Sequence, residues 1–314
     1  MRDLRIVFMG TPEFAVTSLK KLVESGFNIV GVVTAPDKRS GRGRKLKGSA
    51  IKKYALENKL KLLQPKNLKS EDFISNLKAL NANLQIVVAF RMLPKVVWQM
   101  PLYGTFNLHA SLLPDYRGAA PIHWAIINGE EKTGVTTFFI DEKIDTGNII
   151  LQEEVIISKD EIVGELHDRL MNIGANLVSE TVLHIQNNSV TTHKQMKGSE
   201  KIAPKLFPEN CKINWNNSID TIYNHIRGLN PFPGAWTNMI NNNVLTSLKI
   251  YKIRKEEIQH NESIKKITTT KDYIKVAVNG GYIIINELKI SGKKKLDCKN
   301  LLNGYTFSEN AKMR

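Results

Sequence analysis

Over residues 4–186 short, largely apolar runs alternate with longer amphipathic ones, and this alternation restricts the fold more than any other feature of the chain. Residues 4–9 read as an apolar strand, Gly10-Thr11-Pro12 as a turn, and the chain to about Ser25 as a helix. Thr11 suits the N-cap of that helix, Pro12 its first position, and Gly26 its far end. A second apolar strand covers 28–35. Helices near 49–58 and 70–80 follow, then a buried strand at 84–90 and a strand running into His109. A helix around 119–128, strands at 135–140 and 149–157, and a long helix over 162–186 complete the series. Apolar strands separated by helices predict an α/β fold, a doubly wound and mostly parallel sheet covered on both faces. In such a sheet ligands sit beyond the carboxyl ends of the strands.

From Asn187 the sequence turns polar and loses periodicity to about Lys205, which predicts a linker. Beyond it the pattern becomes period two, at 248–253 and 274–278, and Asn279-Gly280-Gly281 is a hairpin signal leading into 282–288. Several short strands within about a hundred residues suggest a small β-barrel of oligonucleotide-binding (OB) type. The expected division is a catalytic domain over 1–188, a linker over 189–206 and a C-terminal β-barrel domain over 207–314.

Chemistry concentrates in Asn107-Leu-His-Ala-Ser-Leu-Leu-Pro-Asp-Tyr-Arg-Gly118. Strand alternation through Asn107, His109 and Ser111 would put three polar side chains on one face, where each must be paired or used. An amide can donate to a developing oxyanion, an imidazole can carry a proton near neutrality, and a hydroxyl can hold a ligand. Asp145, in Asp-Thr-Gly after a strand, is the carboxylate placed to reach them; Asp141, the competing carboxylate, reads as a turn or cap residue. His123 and His167 read as packing or surface histidines on helices.

Other chemistries lack their signatures. The first turn is Gly-Thr-Pro-Glu-Phe rather than Gly-x-Gly-x-x-Gly, which disfavours a dinucleotide cofactor. There is no Gly-x-Ser-x-Gly elbow for a serine hydrolase. Cys211 and Cys298 stand far apart without zinc spacing, so no metal site is expected. No run approaches transmembrane length and no signal-peptide pattern opens the chain, so a cytoplasmic protein is expected, with no membrane partner.

The formal net charge of +15 points to a polyanionic partner. Two-thirds of the excess lies in residues 201–314. Between Asp37 and Gly48 the chain carries six basic residues and three glycines, read as a mobile cationic loop at the ligand-binding edge of the sheet. Phosphate-backbone contact through Arg39, Arg42, Arg44, Lys45 and Lys47 explains that placement better than solubility does.

Together these residues resemble the methionyl-tRNA formyltransferase family along nearly the whole chain. The resemblance rests on Phe8-Met-Gly-Thr-Pro-Glu-Phe-Ala15, the basic loop, the run from Phe106 to Pro114, Tyr116-Arg-Gly-Ala-Ala-Pro-Ile122, Gly134-Val-Thr136 and Asp145-Thr-Gly147. In the second half Lys212-Ile-Asn-Trp215, the run from Ile226 to Trp236, and Gly292-Lys-Lys294 also fit. The family implies a formyltransferase-type Rossmann-like fold and formyl transfer from 10-formyltetrahydrofolate, as cosubstrate, to the α-amino group of initiator methionyl-tRNA. It implies catalysis by Asn107, His109 and Asp145, and a folate site bordered by Ser111, Leu112, Leu113 and Pro114. A monomer needing no metal is expected. The stretch Ala89-Phe-Arg-Met-Leu-Pro94 departs from the family pattern, being one residue shorter and lacking a glycine beside the pterin pocket.

Overall fold

The computed structural model describes residues 1–40, 45–196 and 201–314. In chain order the first part contains β1 (Ile6–Gly10), α1 (Glu13–Glu24), β2 (Ile29–Val33), β3 (Lys38–Ser40), β4 (Lys45–Lys47), α2 (Ala50–Glu57), β5 (Leu62–Leu63), α3 (Glu71–Lys78), β6 (Leu84–Val88) and α4 (Lys95–Trp98). Next come β7 (Thr105–His109), β8 (Arg117–Gly118), α5 (Pro121–Ile127), β9 (Lys132–Phe139), β10 (Ile149–Ile156), α6 (Val163–Gln186) and β11 (Ile202–Ala203). The rest holds α7 (Ile219–Arg227), β12 (Ala235–Asn241), β13 (Val244–Ile250), β14 (Ile253–Glu257), β15 (Ile267–Thr269), β16 (Ile274–Val278), β17 (Gly281–Ile285), β18 (Glu287–Ile290), β19 (Leu296–Asp297), α8 (Cys298–Leu302) and β20 (Lys312–Met313).

These elements sort into two compact units. Met1–Gly118, Thr133–Val155 and His167–Ile202 form the first, and Ala119–Lys132, Ile156–Leu166 and Ala203–Arg314 the second. The first unit is built on a seven-stranded sheet in the order β10-β9-β7-β6-β1-β2-β5. β1, β2, β5, β6 and β7 run parallel, and β9 pairs antiparallel with β7. β1 and β6 are buried at every position, as strands covered on both faces must be. One face packs Val7, Met9, Val33 and Val87 against Phe73 and Leu77 of α3 and Val97 of α4. On the other, α6 approaches β7 so closely that a Cβ on Gly174 would lie 2.7 Å from Leu108. Thr181 of α6 also shares a 2.8 Å hydrogen bond with Thr137 of β9.

Several boundaries differ from the sequence reading. Pro12 is the N-cap of α1, with no side-chain capping bond, and Glu13 is the first helical residue. Gly26 closes the helix with φ +77°, as expected. Of the basic segment, expected as a loop, the described stretches 38–40 and 45–47 pair antiparallel as β3 and β4, Lys38 with Lys47 and Arg39 with Leu46. Asp37 anchors its base, bound at 2.6 Å by the Lys52 ammonium and at 2.9 Å by the Gln64 amide. These two bonds hold the Asp37 carboxyl below its usual range. The described part of the expected linker is also fastened down. His193 forms an antiparallel bridge with Ile149, and Gln195 is buried.

In the second unit α5 and α7 lie side by side, where Ile127 would touch a Cβ on Gly228 at 2.7 Å. His123 Nδ1 meets the Gly228 carbonyl oxygen at 2.9 Å, and Arg227 donates to the Glu161 carbonyl at 2.9 Å. These contacts explain why residues 119–132 and 156–166 cluster with the C-terminal strands and not with the sheet preceding them. The strands form two antiparallel sheets, β19-β18-β13-β12-β20 and β14-β17-β16-β15. One core serves both sheets, including Trp215, Ile222, Ile226, Met239, Ile250, Val276 and Ile285. Trp215 is fully buried and its indole N–H donates to the Thr237 hydroxyl at 2.9 Å.

Candidate active site

β7 ends at His109, on the edge of the sheet where the parallel strands present their carboxyl ends. Leu108 turns toward α6, so period-two alternation sends Asn107 and His109 to the opposite face. Asn107 is half-buried, and among the described residues its amide has no hydrogen-bond partner. A strand amide left unpaired beside a strand end is a donor available to a ligand.

His109 is 6 % exposed, with Nε2 2.8 Å from the carbonyl oxygen of Tyr116. A carbonyl can only accept, so Nε2 carries the proton and the neutral ring keeps its lone pair on Nδ1. Nδ1 lies 3.8 Å from Oδ2 of Asp145, beyond direct hydrogen-bond length and within ion-pair range. Asp145 has φ +55°, a left-handed conformation that Asp tolerates better than most residues. Its carboxylate accepts 2.9 Å from the backbone N–H of Gly118 instead of closing a local turn. Asp141 is the local-turn residue, accepting from Lys143 N and from the Thr146 hydroxyl. Gly147 is required because a Cβ there would collide with the Phe139 carbonyl.

Ser111 corrects the alternation argument. The strand stops two residues before it, and its fully buried hydroxyl donates 2.6 Å to the Asp115 carbonyl, closing its own turn. Leu112 and Pro114 are half-buried and Leu113 is buried, with Leu112 lying over Gly134. Two residues that sequence reasoning missed hold this loop. The Thr136 hydroxyl donates to the Ser111 carbonyl at 2.7 Å and accepts from Leu113 N–H and the Gln152 amide. That uses its one proton and both lone pairs. Gln152 also donates to the Leu113 carbonyl at 2.9 Å. Thr136 lies in a segment singled out from the sequence, but nothing there marked its hydroxyl as a tether.

Of the expected anion-binding residues, Arg39 and Lys47 are exposed on the hairpin. Arg42 and Arg44 lie outside the described residues, as does the side chain of Lys45. The departure at 89–94 has a structural use: Ala89 takes φ +47°, and the Arg91 guanidinium donates to the carbonyls of Pro65 and Lys66. Among the described residues no group of His, Cys, Asp and Glu could hold a metal ion, and no helix is long and apolar enough to cross a membrane.

The chain carrying this site matches two known family models. Residues 4–182 fit the formyl transferase family and residues 205–306 its C-terminal domain, and the chain belongs to that family. Within it, the chain is similar to proteins named methionyl-tRNA formyltransferase. That of Flavobacterium johnsoniae is 56% identical over 314 residues, all of both chains. That of Bacteroides thetaiotaomicron is 50% identical over 317 residues, covering 99% of this chain and 98% of the relative. Solved structures share the fold at lower identity. WlaRD, a sugar 3N-formyl transferase crystallised with dTDP and 5-N-formyl-THF, has a TM-score of 0.66 and 22% identity, covering 94% of this chain and 100% of its own. HypX from Aquifex aeolicus with tetrahydrofolic acid has a TM-score of 0.65 and 16% identity, covering 96% of this chain and 47% of its own.

Proposed function

We propose that this enzyme transfers the formyl group of 10-formyltetrahydrofolate to the α-amino group of methionyl initiator tRNA, as a cytoplasmic monomer without a metal. The observation that carries this reading is the meeting, at the end of β7, of an unpaired amide with an imidazole whose free lone pair faces a carboxylate. Formyl transfer needs a donor for the oxygen of a tetrahedral adduct and a group that moves a proton from the attacking amine to the departing nitrogen.

In this reading the amine attacks the formyl carbon, forming the new C–N bond. Asn107 donates to the oxygen as negative charge develops there, a contribution of roughly 10²–10³ in rate for one such donor. Nδ1 of His109 takes the proton released by the amine, and Asp145 stabilises the resulting imidazolium from 3.8 Å. The bond to N10 of the folate then breaks as the imidazolium returns the proton to that nitrogen. The folate would lie along Leu112, Leu113 and Pro114. Ser111 would border the pocket with its hydroxyl proton already given to the Asp115 carbonyl.

The tRNA assignment draws its support from the named relatives and from the position of the cationic hairpin. β2, from which the hairpin rises, is the third strand from β7 along the same sheet edge. At about 4.8 Å per strand that is roughly 14 Å, within reach of an acceptor stem whose terminal amino acid sits at His109. Charged initiator tRNA supplied with labelled 10-formyltetrahydrofolate should yield labelled N-formylmethionine after deacylation. Label recovered only as formate, or only on a sugar-nucleotide amine, would contradict the reading.

A further inference from the structure

Gln195 lies in the polar segment that the sequence presents as a plain connection, yet its side chain is 7 % exposed and fully used. Its amide nitrogen donates to the Asp145 carbonyl at 2.9 Å and to the Gly147 carbonyl at 2.8 Å. Its amide oxygen accepts from Nε of Arg117 at 3.1 Å and from Nη2 of the same guanidinium. Two donors and two lone pairs are all satisfied, and this fixes the orientation of the amide: turned over, its oxygen would face two carbonyls. The residue after Arg117, Gly118, holds the Asp145 carboxylate through its N–H. Asp145 is thus pinned by its backbone through Gln195 and by its side chain through Gly118, in a left-handed backbone conformation.

The same segment also touches the imidazole's anchor. The N–H of Tyr116 donates to the Lys201 carbonyl at 2.8 Å, and the carbonyl of Tyr116 is the acceptor that sets the tautomer of His109.

We infer that Gln195 is a positioning residue for the transfer, holding Asp145 at its working distance from His109 through the Asp145 and Gly147 carbonyls. It touches neither substrate nor the reacting atoms. The inference rests on the proposed role of Asp145 and predicts loss of turnover without loss of binding. A displacement of about 1 Å in such a group can cost on the order of 100-fold in rate.

The test is steady-state formylation of charged initiator tRNA by the full chain carrying Gln195→Met, alone and combined with Asp145→Ala. The single variant should lower kcat 10- to 100-fold, with KM for both substrates within about threefold of the parent. In the Asp145→Ala background the same change should alter kcat by less than twofold, because the group it positions is gone. An unchanged kcat, a loss carried by KM, or an equal loss in both backgrounds would overturn the inference. If Gln195→Met does not fold, Arg117→Met releases only the acceptor side of the amide. It should lower kcat about tenfold, and a normal kcat would overturn the inference equally. An unsubstituted chain that formylates no charged tRNA counts against the proposed function instead.

Discussion

At the scale of single residues, Asn107 and Thr136 do opposite jobs on one face of the sheet. Asn107 keeps a free amide, whereas Thr136 spends every hydrogen-bonding position on its neighbours. Asn107→Ala should therefore leave folding intact and lower kcat by about 10²–10³, measured by single-turnover formylation. Thr136→Val keeps the shape but strands the Leu113 N–H and the Ser111 carbonyl. It should cost about 1–3 kcal/mol of stability in denaturant unfolding, with a further loss of rate as the loop over 111–114 loosens. Asn107 and His109 stand out in the sequence as polar residues alternating into a strand end, and Asp145 as a carboxylate in an Asp-Thr-Gly loop; the structure brings His109 and Asp145 to 3.8 Å. The alternation that puts Ser111 on the strand runs past the point where β7 stops, and the Ser111 hydroxyl closes a turn there. Gln195 was invisible, since a buried amide in an aperiodic polar stretch has no sequence signature.

At the scale of elements, the hairpin and α7 can each be tested apart from the chemistry. Replacing Arg42 and Arg44 together should weaken tRNA binding and reduce the slope of log K against log salt by about 1.5, read from binding isotherms between 50 and 200 mM salt. Normal formylation by that variant at moderate salt would remove the hairpin from the account. In α7 the Nε2 of His225 is buried with no partner among the described residues, and burial pushes its imidazole below the ordinary value of 6.5. The unfolded chain thus takes up a proton near pH 6.5 that the folded one refuses, so His225 makes the second unit lose stability as pH falls through 6.5 toward its lowered value. The loss should be seen as faster amide exchange in α7 at pH 5.5 than at 7.5 after correction for intrinsic rates. His225→Phe should flatten that difference. The order of strands and helices could be read because burial on both faces leaves unbroken apolar runs. The hairpin was missed because glycine and charge mark turns while saying nothing of backbone pairing.

For the whole molecule, strands and helices cluster into two compact units whose segments alternate along the chain. α5 sits in sequence between β8 and β9 but shares its contacts with α7, a pairing of positions about a hundred residues apart that no local pattern encodes. The proposed chemistry nevertheless concerns one place, the carboxyl end of β7, where an imidazole with its lone pair on Nδ1 would move the proton of a formyl transfer. The direct measurement is the single-turnover rate of formylation by His109→Ala at saturating folate and charged tRNA, alongside its tRNA affinity. The account predicts a rate lowered by about 10²–10⁴ with affinity within threefold of the parent. A rate within threefold of the parent would contradict it.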